Sequence, residues 1–101
     1  MTGMENFAII ENSDRNRFEA YLDSRLVGVI DYIPLQGKII ATHTEVLGDN
    51  SGRGIGSRLV RGMIDVLRKD GRLLQPLCPY VTDYLRGHPD LTDVVDPATP
   101  H

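Results

Sequence analysis

Between Arg17 and Leu22 apolar and polar side chains alternate. Phe18, Ala20 and Leu22 fall on one face of an extended chain, and Arg17, Glu19 and Tyr21 on the other. Asp23-Ser24 follows as a two-residue turn signal. Residues 25–33, rich in Val, Ile and Tyr, read as a strand that stops before Pro34, and Leu35-Gln36-Gly37 reads as a second turn with Gly37 at positive φ. Lys38–Val46 is the next strand. Continuous alternation places Ile39, Ala41, His43 and Glu45 on one face, and Ile40, Thr42, Thr44 and Val46 on the other. Turns this short make the strands antiparallel neighbours. Residues 7–11 add a further short strand ahead of the polar loop Asn12-Ser13-Asp14.

The period then changes. After the loop Gly48-Asp49-Asn50-Ser51-Gly52, residues 55–69 carry a helical stripe of Ile55, Leu59, Val60, Met63, Ile64 and Leu67, with Arg58, Arg61, Asp65 and Arg68 on the solvated side. Gly71 is a helix stop. Residues 72–77 read as a short buried strand. Residues 79–87 read as a short helix, with Pro79 at its first position and Gly87 at its end. His88-Pro89 and a last turn at 91–95 follow. The pattern predicts an α+β fold: an antiparallel meander, a crossover helix, a strand parallel to Lys38–Val46, and a short helix.

A chain of 101 residues is one domain, taken as residues 1–95 with a frayed tail at 96–101. So small a domain has little room for a deep cavity, so a large ligand must lie in a surface groove. With 11 Lys plus Arg against 14 Asp plus Glu, the net charge of -3 argues against nucleic acid. One Cys excludes a disulfide framework and a multi-Cys zinc site, and His43, His88 and Cys78 are not at ligand spacing, so no metal is expected. No apolar run approaches membrane-spanning length, and the first six residues lack a signal-peptide pattern. The expectation is a cytoplasmic, monomeric protein.

Ser51-Gly52-Arg53-Gly54-Ile55-Gly56-Ser57 stands between a strand and the long helix. Glycines there allow close backbone approach, and a helix start offers free N–H groups with a positive dipole end, which together suit a phosphate. The plain alternative is a tight turn. No Lys follows either glycine as a P-loop needs, and the third glycine of a dinucleotide fingerprint falls on Ser57 or Leu59.

His43-Thr44-Glu45-Val46 followed by Gly52-Arg53-Gly54-Ile55-Gly56 resembles the acetyl-CoA signature of the GNAT N-acetyltransferase superfamily: Arg or Gln, two variable residues, Gly, one variable residue, then Gly or Ala. Gly54 and Gly56 match. Ser51 stands where Arg or Gln is usual, and Arg53 occupies a variable position. Pro76-Leu77-Cys78-Pro79-Tyr80-Val81 and His88-Pro89 extend the resemblance, over residues 17–95, to a short stand-alone branch of that superfamily. The resemblance implies acetyl-CoA in a groove between splayed parallel strands. Its pantetheine arm would pair with the backbone of Thr44, Glu45 and Val46. Its phosphates would meet Gly52, Arg53, Gly54, Ile55, Gly56 and Ser57. It also implies acetyl transfer to an amine of a protein or small molecule. A CoA-binding or interaction module without catalysis is the alternative.

Cys78 stands where a buried strand meets a helix that starts at Pro79. Its position alone suits a small buried hydrophobe. The resemblance places it beside the acetyl group, either as a nucleophile or as an assistant to direct attack by the amine. The resemblance also makes the Val46 N–H the oxyanion donor. Glu45 is a candidate base or a solvent-facing side chain. His43 shares its face, and an imidazole suits acid–base work, though a strand histidine beside Ile39 and Ala41 is more often a packed, hydrogen-bonded residue. Tyr80 and Tyr84, four apart, share a helix face. Either hydroxyl could protonate the leaving thiolate or line the groove. His88 could touch the nucleotide end of CoA or serve the turn at Pro89.

Overall fold

Asp23 and Ser24 both take positive φ, 49° and 70°, as a two-residue hairpin turn that follows strand twist requires. They join β2 (Arg17–Leu22) to β3 (Arg25–Leu35). The computed structural model describes residues 6–48 and 54–98. The chain begins with β1 (Phe7–Asn12) and, after β3, continues through β4 (Lys38–Val46), α1 (Ile55–Asp70), β5 (Leu73–Pro76), α2 (Pro79–Arg86) and a 3-10 helix, Pro89–Val94. The strands form one sheet in the order β1-β2-β3-β4-β5, antiparallel except for the parallel pair β4–β5. This is the α+β meander, helix and parallel strand that the sequence pattern predicts.

Strand β3 does not stop before Pro34; it runs on to Leu35, with Pro34 opposite Ile39. The N–H of Tyr32 points toward β2, donating to the Asn16 carbonyl at 3.0 Å. The pleat repeats every two residues, so the ring nitrogen of Pro34 points the same way, past the last β2–β3 pair at Arg17 and Asp31. No ladder bond to β4 is lost, and an edge position tolerates the proline.

A second difference decides the chemistry. The β3–β4 register shifts between Asp31 and Tyr32: Asp31 faces His43, whereas Tyr32 faces Ala41, leaving Thr42 as an extra residue. Such a bulge reverses the alternation along its strand. Ile39 and Ala41 point into the core, but beyond Thr42 it is Thr44 and Val46 that stay on that side. His43 and Glu45 turn to the opposite, exposed face. The expected common face of Ile39, Ala41, His43 and Glu45 is therefore corrected, and His43 is not packed among apolar neighbours.

Both helices lie on one face of the sheet. The stripe Ile55, Leu59, Val60, Met63, Ile64 and Leu67 of α1 is buried, and with Val81 and Leu85 of α2 it joins Phe18, Ile30, Tyr32, Ile39 and Leu74 in one core. Gly62 lets α1 approach β1 closely: a Cβ there would fall 2.7 Å from Ile9 Cγ1 and 3.0 Å from Ile9 Cβ. Gly71, at φ 70°, ends α1.

Polar clasps hold the ends of the two layers. Arg72 donates to Glu11 Oε1 at 2.7 Å and Oε2 at 3.0 Å, and the Tyr32 hydroxyl donates to the same carboxylate. The Arg72 hydrogen bonds hold the Glu11 carboxyl below the usual range, while burial and then Glu11 push the Tyr32 phenol up to about 12. Asp96, the first residue of the expected tail, donates its N–H to the Leu74 carbonyl (2.9 Å) and pairs with Lys38 at 2.8 Å. Glu19 is 2% exposed on the helix-free face. Arg17 (2.6 Å), Tyr21 (3.0 Å) and Asn12 (3.2 Å) satisfy its carboxylate.

Candidate functional site

Strands β4 and β5 pair only from Lys38 with Leu73 to Ala41 with Pro76. There they part. The N–H groups of Leu77 and Cys78 both donate to the Ala41 carbonyl, at 2.9 and 3.0 Å, and the chain turns into α2 at Pro79. Strand β4 continues to Val46, bent by its bulge. Leu47 donates its N–H to Val27 on β3 at 2.8 Å. By the same two-residue repeat, the backbone groups of Thr44 and Val46 point away from β3, toward the edge that β5 has left. An exposed strand edge of this kind takes an extended ligand by backbone pairing.

Two helix starts flank the split on the core side. The N-cap of α1 is Gly54, at φ 73°, with no side-chain cap. Its carbonyl accepts the Arg58 N–H at 3.1 Å. The N–H groups of Ile55, Gly56 and Ser57 thus begin the helix without a side-chain acceptor, and the first turn holds no acidic residue that would repel an anion. Gly56 also has a packing role: a Cβ there would lie 2.7 Å from Tyr80 Cζ. Gly52 and Arg53 lie outside the described residues, as does Ser51.

Cys78 is the N-cap of α2, also without a side-chain cap. Its carbonyl accepts from the Thr82 N–H (3.0 Å) and hydroxyl (3.1 Å). The thiol is only 4% exposed, and its Sγ lies 3.3 Å from Thr44 Oγ1. The bulge creates this pair, because it swings the Thr44 side chain to the core side of β4.

The other candidates separate into two groups. His43 Nε2 lies 3.6 Å from Glu45 Oε1 on the helix-free face, with both side chains exposed. Asp31, opposite His43 in register, lies on that face too. Tyr80 is exposed beside the first turn of α1. Tyr84 is packed against the core; its ring stacks on His88 at 4.0 Å and 11°, and its carbonyl is 2.8 Å from His88 Nδ1. Tyr84 also lines a shallow hollow with Ser57, Arg61 and Phe7. The structure thus brings Cys78 to Thr44, His43 to Glu45, Tyr80 to Gly56 and Tyr84 to His88. Sequence reading misses the Thr44 side chain and Asp31, since both depend on a bulge that leaves no local signature at Thr42. Among the described residues, no three His, Cys, Asp or Glu side chains are grouped to hold a metal ion.

A mixed sheet that splits between its fourth and fifth strands, beside a glycine-led helix start, defines the N-acetyltransferase class of fold. The chain belongs to the GCN5-related N-acetyltransferase family, which matches residues 17–94. In fold it is similar to a GCN5-like protein from Staphylococcus aureus (TM-score 0.68, 21% identity, covering 97% of this chain and 96% of that one). It is also similar to the ribosomal-protein-S18-alanine N-acetyltransferase of Escherichia coli (0.57, 15%, 72% of this chain and 66% of that one). A third likeness is to an aminoglycoside acetyltransferase from an uncultured soil metagenomic sample (0.56, 16%, 84% and 61%). No curated protein is similar enough to count as a match. No helix among the described residues is long and apolar enough to cross a membrane.

Proposed function

We propose that this protein transfers the acetyl group of acetyl-CoA to a primary amine at the split between β4 and β5. The observation that carries the reading is the outward backbone of Thr44 and Val46 beside the uncapped start of α1. The residues fit the molecule. Its extended amide-bearing arm needs strand-like backbone partners, and its phosphates need N–H donors without a competing acid.

Acetyl-CoA supplies an activated thioester. Transfer forms a C–N bond and breaks the C–S bond; the amine loses a proton and the CoA sulfur leaves as a thiol. The chain's part is to bind, orient and move protons. The N–H groups of Ile55, Gly56 and Ser57 hold the phosphates. The Val46 N–H supports the developing oxyanion. Glu45, with His43 beside it, takes the amine proton from the helix-free side. The Cys78 thiol, beside Thr44 on the core side of the split, assists the amine's attack, and the exposed Tyr80 hydroxyl beside α1 protonates the leaving sulfur. Tyr84, stacked on His88, shares a hollow with Ser57 at the first turn of α1, where the nucleotide end of CoA would lie.

The test is a thermal melt with acetyl-CoA, followed by an assay of free CoA across a panel of amines. A ligand at 100 times its Kd stabilises by about 2.7 kcal/mol, which raises Tm by several degrees. Binding without CoA release for any amine would favour the CoA-binding module, and no thermal shift would defeat both.

A further inference from the structure

We infer that the helix-free face of the sheet docks the α-amino end of a polypeptide whose first residues are apolar. This rests on the acetyltransferase reading above and names its acceptor. Helices cover one face of the sheet and leave the other open, so donor and acceptor reach the split from opposite sides. Asp31, Ile33 and Leu35 stand at every second position of β3, on that open face. Ile33 is 49% and Leu35 47% exposed, and Ile40 of β4 stands opposite Ile33.

The spacing suits an extended peptide. Alternate residues of a strand are about 6.6 Å apart, so a chain lying along β3 meets one carboxylate and then two apolar side chains in step with its own alternate side chains. The charges agree. Asp31 and Glu45 lie one strand apart on this face, and among the described residues neither pairs with a Lys or Arg. The cations that stand opposite Asp31 and Leu35 in register, Arg17 and Lys38, are engaged by Glu19 and Asp96. A protonated α-amine supplies the missing positive charge. A second copy of the chain would set acid against acid, and nucleic acid would be repelled.

The experiment measures acetyl transfer to a peptide with a free N-terminus and Ile or Leu at its first and third positions. Controls are the same peptide with Asp or Ser there, an N-terminally blocked peptide bearing one Lys, and a simple alkylamine. The apolar peptide should show the lowest KM. Ile33→Ser with Leu35→Ser should raise that KM by about fivefold to tenfold, leave kcat within about twofold, and leave the acetyl-CoA thermal shift unchanged. Asp31→Asn should raise KM for every α-amine. These half-exposed positions tolerate polar residues, and a circular dichroism melt checks the fold. Equal transfer to the blocked Lys peptide or to the alkylamine overturns the inference while keeping the enzyme. So does a KM insensitive to Ile33 and Leu35, or a dimer buried on this face. Absence of acetyl-CoA binding defeats the underlying reading instead.

Discussion

Thr44 Oγ1 lies 3.3 Å from Cys78 Sγ, linking β4 to the start of α2 just past the last β4–β5 pair. The contact spans the point where two neighbouring strands separate. Three things converge on it: a bulge that turns Thr44 inward, a strand that ends at Pro76, and a helix that begins at Pro79.

Substitution at this pair separates packing from chemistry. Thr44→Val keeps the volume and removes the hydroxyl, and should cost about 0.5–1.5 kcal/mol in a denaturant titration. Cys78→Ala should fold, bind acetyl-CoA within about twofold of the parent, and slow acetyl transfer by about 100-fold. Turnover within twofold of the parent would confine Cys78 to packing.

Gly62 should resist replacement. Alanine is favoured over glycine in a helix interior by about 1 kcal/mol, but the added Cβ meets three atoms of Ile9, including its Cβ. Overpacking costs about 1–3 kcal/mol, so Gly62→Ala should lower stability by up to about 2 kcal/mol. Adding Ile9→Ala should recover part of the loss, giving a double-mutant cycle that is not additive.

The Glu11–Arg72–Tyr32 clasp sets an acid limit. Arg72 holds the Glu11 carboxyl below its ordinary 4.5 in the folded chain. Its contribution is therefore complete above the unfolded value and is lost as pH falls through the lower folded value. Glu11→Gln should flatten that acid-side loss in pH-resolved melts and cost about 1–3 kcal/mol at pH 7. At the basic end the Tyr32 phenol, pushed up to about 12, contributes fully below its unfolded value near 10 and loses that contribution as pH rises through 12.

Much of the architecture was legible because local chemistry and tertiary structure agree. Asp23-Ser24, Gly71 and Pro79 mark boundaries that the structure keeps, and the 3.6-residue stripe of α1 is the buried face. What escaped reading depends on neighbours. Pro34 continues a strand only because β2 has already ended on the side its nitrogen faces. Thr42 is an extra residue only relative to β3, and missing it by one position exchanged the faces of His43 and Thr44. Alternation puts Glu19 on the polar face of β2 with Arg17 and Tyr21, and it is buried there by the partners it collects. The candidate site was found through its glycines and Cys78, while its division into a core side and an open side waited on the bulge.

The most direct measurement is amide NMR during titration with acetyl-CoA. Binding at the β4–β5 split predicts that the largest shifts fall on Thr44, Val46, Ile55, Gly56, Ser57 and Cys78, while Ile33 and Leu35 on the open face stay unchanged until an amine acceptor is added. Saturating acetyl-CoA that leaves the Thr44 and Val46 amides unmoved would contradict it.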